Sequence, residues 1–182
     1  MTSEGAAPER LIRTPTIQSR DPFTLVPGGP AILWPPGDDL FTADAKLGLA
    51  RAQDEAVRLA HNHVGPVHLL VGIVCADEGL GGRALRELGA NSERTRDALA
   101  SLMGHGEARI APDEVTLTPR SQRVLDLAMG RSRQRGERSA ASEDVLLALL
   151  DEGEHFTTQL LRAVGIDPAD VHTRVQELMD TR

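Results

Sequence analysis

Residues 41–73 read FTADAKLGLARAQDEAVRLAHNHVGPVHLLVGI, and residues 117–149 read LTPRSQRVLDLAMGRSRQRGERSAASEDVLLAL. Set one beneath the other at a shift of 76 residues, they align without a gap, and the alignment runs from 41–103 onto 117–179. Thr42 falls on Thr118, Leu49 on Leu125, Ala52 on Ala128, Leu70 on Leu146, Glu78 on Glu154, Leu85 on Leu161, Arg86 on Arg162 and Gly89 on Gly165. Leu102-Met103 meets Leu178-Met179. Most of these positions are helix punctuation or apolar periodicity, so the duplication is a structural one, and it precedes every other reading of the fold.

Within each copy the periodicity is helical. Ala45, Leu49, Ala52, Ala56 and Leu59 recur at intervals of three and four and form one apolar face, with Thr42 as the expected N-cap. Copy two opens Thr118-Pro119, an N-cap followed by proline at the first helical position. An apolar helix follows, Val67 to Cys75 in one copy and Glu143 to Leu150 in the other. A short third helix stops at Gly89 or Gly165, where glycine adopts the left-handed conformation without strain. Asn91 and Asp167 then cap a final helix carrying Leu99, Leu102 and Met103, or Val175, Leu178 and Met179. The expectation is an all-α, pseudo-two-fold bundle of two four-to-five-helix repeats. Repeat one spans 40–103, a linker 104–113, and repeat two 114–182, with a Pro/Gly-rich tail over 1–39.

That tail shows no helical period. Phe23–Val26 and Ala31–Trp34 flank Pro27-Gly28-Gly29-Pro30, a pattern for a hairpin or for a peptide docked in a groove, against disorder over the first twenty residues.

Composition removes several function classes. The 182 residues suffice for a self-sufficient core, and Cys75, the only cysteine, excludes an internal disulfide and fits a reducing cytoplasm. The longest apolar stretches fall short of the roughly 20 residues that cross a bilayer, and the N-terminus lacks a basic start and an apolar core of a secretory signal. Net charge is −7, with three Phe, one Trp and no Tyr, which argues against a nucleic-acid footprint or stacking platform. Lys46 is the only lysine and lies inside a helical pattern, so no G-x-x-x-x-G-K phosphate loop exists and the chain is not expected to be an enzyme of that class. His61, His63 and His68 with Cys75 invite a zinc reading, but their spacing favours capping and packing, and neither metal nor cofactor is expected. Gly79–Gly82 reads as a turn, Arg131 to Arg138 as a solvated face, and the serines as caps.

The segments Phe41-Thr42 to Lys46, Ala52-Gln53-Asp54-Glu55-Ala56 and His61 to Ile73, with Glu78-Gly79 and Leu88-Gly89, resemble the Clp repeat, whose pattern runs F-T-x-x-A-(R/K), A-Q-x-E-A and G-H-N-x-I-G-T-E-H-I-L-L-G-L. Copy two keeps Leu117-Thr118-Pro119-Arg120-Ser121, close to F-T-P-R-A, but has lost most of the H-N-x-I-G-T-E-H stretch between Gly136 and Asp144. The resemblance covers about residues 40 to 180 and implies the N-terminal domain of ClpC-like Clp ATPases, a docking platform, here without the motor.

The resemblance also implies ligands. In some bacteria such domains bind phosphoarginine through the threonine of F-T and the threonine and glutamate of G-T-E-H, and in actinobacteria cyclic-peptide antibiotics bind near the F-T helix starts. Carried over, copy one keeps Thr42 but has Pro66 and Val67 in place of the Thr-Glu pair. Copy two keeps Thr118, Ser142 and Glu143, which equally suit helix caps and a first-turn acid. For cyclic peptides, Phe41 and Lys46 survive, whereas Leu117 and Gln122 replace an aromatic and a basic residue. The candidate binding residues are therefore Phe41, Thr42, Lys46, Leu117, Thr118, Arg120, Ser142 and Glu143. The leading expectation is a non-catalytic module binding peptides, adaptors, substrates or a Clp ATPase and modulating Clp-dependent proteolysis as adaptor or decoy. Two different roles compete with it: sequestration of cyclic-peptide antibiotics, and regulation of transcription through DNA.

Overall fold

Helix α1 (Ala43–Arg58) and helix α2 (Pro66–Ala76) form a hairpin whose backbones touch. The contact depends on small residues: a Cβ added to Gly72 would lie 2.1 Å from the Gly48 carbonyl oxygen and 2.7 Å from the Ala52 nitrogen. Repeat two has Val124, Ala128 and Ala148 at the equivalent places, all fully buried, so its hairpin of α5 (Pro119–Gln134) and α6 (Ser142–Glu152) packs side chain on side chain. The remaining helices are α3 (Gly79–Glu87), α4 (Ser92–Met103), α7 (His155–Ala163) and α8 (Pro168–Asp180). Each helix of the second half begins 76 residues after its counterpart, the same shift that aligns the sequences. The computed structural model describes residues 39–107 and 109–181, and the tail segments 23–26 and 31–34 lie outside the described residues.

Local chemistry accounts for the helix ends. Asn91 Oδ1 accepts from the backbone N–H groups of Glu93 and Arg94, Asp167 from that of Ala169, and Thr118 from that of Ser121. Gly89 and Gly165 sit at φ of 96° and 87°. Two expected caps differ. Thr42 occupies the N-cap of α1, but its hydroxyl donates to the Asp44 carboxylate at 2.5 Å instead of accepting a backbone N–H. Ser142 is the first residue of α6, not its cap, and its Oγ accepts the Gly81 N–H at 3.1 Å. Nor is Gly79–Gly82 only a turn, because it forms the first turn of α3 and lies directly on α6.

The two halves are tied by parallel backbone pairing across the pseudo-two-fold. Strand β1 (His63–Val64) pairs with β2 (Thr116–Leu117), and at the equivalent place Phe41 bridges Ala140. Thr118 N–H donates to the Val64 carbonyl at 3.1 Å, and Thr42 N–H donates to the Ala140 carbonyl at 3.0 Å. The start of each repeat is thus fixed to the segment before the second helix of the other. Between these ties runs one core containing Leu70, Leu85 and Leu99 from one half and Leu146, Leu161 and Leu125 from the other. Each such leucine contributes about 2 kcal/mol by burial.

Polar anchors complete it. The buried Glu55 carboxylate pairs with Arg58 of its own helix at 2.7 Å and ties α1 to α4 through Arg96 at 2.5 Å. Arg174 of α8 pairs with Glu87 of α3. Cys75 is half-buried against the core, where burial pushes its thiol pKa up. His105, His155 and His172 are exposed, and no group of three or more metal-ligating side chains occurs among the described residues.

Candidate functional site

Because the strands pair across the halves, each F-T-type helix start faces the second helix of the other repeat. The sequence-based grouping of Thr118 with Ser142 and Glu143 does not hold in three dimensions. Helices α5 and α6 run antiparallel, with Arg135 against Asp144 at one end and Arg120 against Glu152 at the other. An eleven-residue helix is about 16 Å long, so Thr118 and Ser142 stand at opposite ends of the hairpin. Thr42 is the threonine that meets Ser142 and Glu143, and Thr118 meets Pro66 and Val67.

Two cavities result. The first, about 350 Å³, is lined by Thr42 and Asp44 from α1, Gly79, Leu80 and Arg83 from α3, and Ala141 and Glu143 at the start of α6. The second, about 480 Å³, has Thr118 and Arg120 from α5, Phe156 from α7, and Gly65, Pro66, Val67 and His68 at the start of α2, with His61, His63 and Met103 along its rim. The 76-residue shift relates them: Thr42 to Thr118, Asp44 to Arg120, Leu80 to Phe156, Ala141 to Gly65 and Glu143 to Val67. The chemistry at equivalent points is opposite, acid against base and acid against apolar.

In the acidic pocket the key side chain is Asp44, which sequence reasoning did not single out. It receives the Thr42 hydroxyl and, at 3.1 Å, the Ser142 N–H at the head of α6. Burial alone raises a carboxyl pKa, but these hydrogen bonds outweigh it and hold Asp44 below the ordinary aspartate value. Its position as an acid two residues after an expected cap was the available signal. Ser142 and Glu143 are buried, the serine hydroxyl lying 3.5 Å from a Glu143 carboxylate oxygen. Phe41 and Leu117 are also buried, and act as anchors of the cross-repeat pairing. Lys46 is half-buried on α1.

The wall of the apolar groove is built by two histidines. Gly65 N–H donates to His68 Nδ1 at 3.1 Å, which leaves the His68 proton on Nε2, facing His61 Nδ1 at 2.9 Å. Burial, with the His61 charge in the same direction, pushes the His68 pKa down to about 4. Burial also lowers that of His61, against a hydrogen bond with the Gly104 backbone. The capping and packing role expected of these residues is the one they occupy. Phe156 is 39 % exposed, one of two large hydrophobic side chains left at the surface among the described residues. Glu154 caps α7, accepting the Thr157 N–H and hydroxyl.

A duplicated four-helix unit with cavities at its cross-repeat seams defines a class of pseudo-two-fold helical domains. Residues 40–164 match the Clp repeat (R) N-terminal domain, and the chain belongs to that family. It is 35% identical over 139 residues to the negative regulator of genetic competence ClpC/MecB of Bacillus subtilis, covering 76% of this chain and 17% of that protein. To chloroplastic ClpC2 of Oryza sativa subsp. japonica it is 36% identical over 135 residues, 74% of this chain and 15% of the relative. The chain therefore spans less than a fifth of the length of these relatives. Among solved structures, the N-terminal domain of ClpD from Arabidopsis thaliana superposes with TM-score 0.65 at 20% identity, over 77% of this chain and 94% of that one. The Hsp104 N-terminal domain of Candida albicans gives 0.64 at 19%, over 79% and 94%. These two similarities establish the all-α fold. No helix among the described residues is long and apolar enough to cross a membrane.

Proposed function

We propose that this chain is a non-catalytic docking module that takes a peptide segment of an adaptor or substrate in the groove at Thr118, Val67 and Phe156, and so modulates Clp-dependent proteolysis. The observation that carries the reading is the asymmetry of the two cavities. In one, Asp44 and Ser142 are tied to each other and to Gly81. In the other, a half-buried Met103 and a 39 %-exposed Phe156 offer apolar surface over the buried Pro66 and Val67. Its volume of about 480 Å³ lies in the range of ligand clefts. Family membership supports the docking role, and the sequence has no phosphate-binding loop to support a motor.

Fluorescence anisotropy with labelled apolar decapeptides tests it. Met103→Glu and Phe156→Glu are each expected to weaken binding at least tenfold, and unchanged affinity in both would sink the proposal. Adding the protein to a reconstituted Clp protease then separates adaptor from decoy: faster client degradation marks the first, slower the second.

A second reading concerns the acidic pocket. The convergence of Thr42, Ser142, Asp44 and Glu143 favours a guanidinium-bearing ligand such as phosphoarginine. A thermal shift on adding free phosphoarginine, lost in Asp44→Asn, is the expected result. Cyclic-peptide sequestration and DNA contact have weaker support. The first depends on Phe41 and Leu117, which are buried, and the second on an arginine run whose Arg131, Arg135 and Arg138 pair with Asp151, Asp144 and Asp39.

A further inference from the structure

We infer that the apolar groove selects peptides carrying a carboxylate beside their apolar residues, with Arg120 as the residue that reads the charge. This rests on the docking role proposed above and adds to it a class of ligand.

Arg120 stands where the other cavity has Asp44, and its side chain is 58% exposed. Its ion-pair partner is Glu152, whose side chain is only 3% exposed. The pair is loose: Arg120 Nη1 lies 3.6 Å from Glu152 Oε2, beyond hydrogen-bond length, and that carboxylate oxygen is buried with no hydrogen-bond partner. A buried carboxylate without a hydrogen bond is costly, so Glu152 holds the guanidinium above it by charge and keeps it at the groove. The guanidinium carries five N–H donors in a planar fork, and Glu152 lies on one side of it. The side turned to the groove is suited to a second carboxylate, bound bidentately.

The rest of the lining brings one acid to the groove, and it is engaged elsewhere. Glu154, the acidic residue of the lining, is held as the cap of α7 by the Thr157 N–H and hydroxyl. Where the other cavity has Glu143, this one has Val67, which carries no charge. Arginine is among the residues enriched where binding energy concentrates at protein interfaces, and Arg120 lines the same groove as the exposed Phe156. Apolar contact on Met103 and Phe156 supplies affinity, and Arg120 supplies discrimination.

The test uses three fluorescein-labelled decapeptides that differ at one position beside a Leu-Phe pair, bearing Asp, Asn or Lys, with anisotropy read at low and high salt. The wild-type chain is expected to bind the Asp peptide at least tenfold more tightly than the Asn peptide, with the difference shrinking as salt rises. Arg120→Gln is expected to bind all three alike, and Arg120→Glu to prefer Lys. Arg120→Gln keeps the test valid if Arg120→Glu, set against buried Glu152, fails to fold. Equal affinity of the wild type for all three, or a preference for Lys, overturns the inference while leaving apolar docking in place. Binding of none of them overturns both.

Discussion

The acidic pocket and the apolar groove are the same place in the fold, reached by the same turn of chain 76 residues apart, and they differ in what holds their walls together. At the acidic pocket a carboxylate from repeat one caps a helix of repeat two, and glycines of α3 press on that junction. At the groove the wall is an uncharged histidine pair, with Pro66 and Val67 in place of a serine and a glutamate. The duplicated scaffold constrains backbone and core, and leaves these seam residues to diverge. One seam has become a structural joint and the other an open surface.

The severest challenge to this contrast is Gly81→Ala. A Cβ there would lie 2.7 Å from the Ser142 backbone, so the joint must shift, and a loss of about 3 kcal/mol in denaturant unfolding is expected. At the groove the position equivalent to Gly81 is Thr157, whose hydroxyl donates to Glu154 within the cap of its own helix, and Thr157→Ala is expected to cost only about 1 kcal/mol. Similar effects at both places would remove the distinction between joint and surface.

Acid should open the two seams in order. His68 has a folded pKa of about 4, below the ordinary 6.5, so the unfolded chain binds its proton first. Stability is full above about pH 6.5 and falls as pH drops from 6.5 toward 4, by about 3 kcal/mol in total. Asp44 behaves in the depressed-acid sense. Its contribution is present above its ordinary value of 3.8 and is lost only as pH falls below that. Amide protection factors, corrected for intrinsic exchange, should therefore fall at a higher pH for Gly65 than for Ser142, and the reverse order would contradict the assignment of the walls.

Two smaller changes refine the contrast. Asp44→Asn weakens the hydrogen bonds from Thr42 and Ser142, an expected loss of about 1 kcal/mol after allowing for the half-exposed site. Ala60, at the groove rim, has φ of 56° where repeat two has Gly136. Ala60→Gly relieves that conformation and is expected to raise the unfolding free energy by about 0.5 kcal/mol.

Much of this architecture was legible in the sequence for a physical reason. Caps at Asn91, Thr118 and Asp167 and left-handed glycines at 89 and 165 are local chemistry, set by a few adjacent residues. The seams were not legible. Strands of two residues carry no period, so nothing in residues 63–64 or 116–117 announces their partnership. Grouping Thr118 with Ser142 treats a repeat as a closed unit, although an antiparallel hairpin must separate the start of one helix from the start of the next. Asp44 gives the signal of an ordinary first-turn acid, and only the fold shows that the helix it caps belongs to the other repeat.

The crossed pairing of Phe41 with Ala140 and of β1 with β2 also bears on how the two copies evolve. Neither copy owns a cavity, since each is assembled from both. A substitution in one copy therefore alters a half-site it shares with its sister, and the residue it meets across the seam lies 98 positions away at Asp44 and Ser142. Asp44 with Ser142, and Arg120 with Val67, are two such couples, each legible only as a pair.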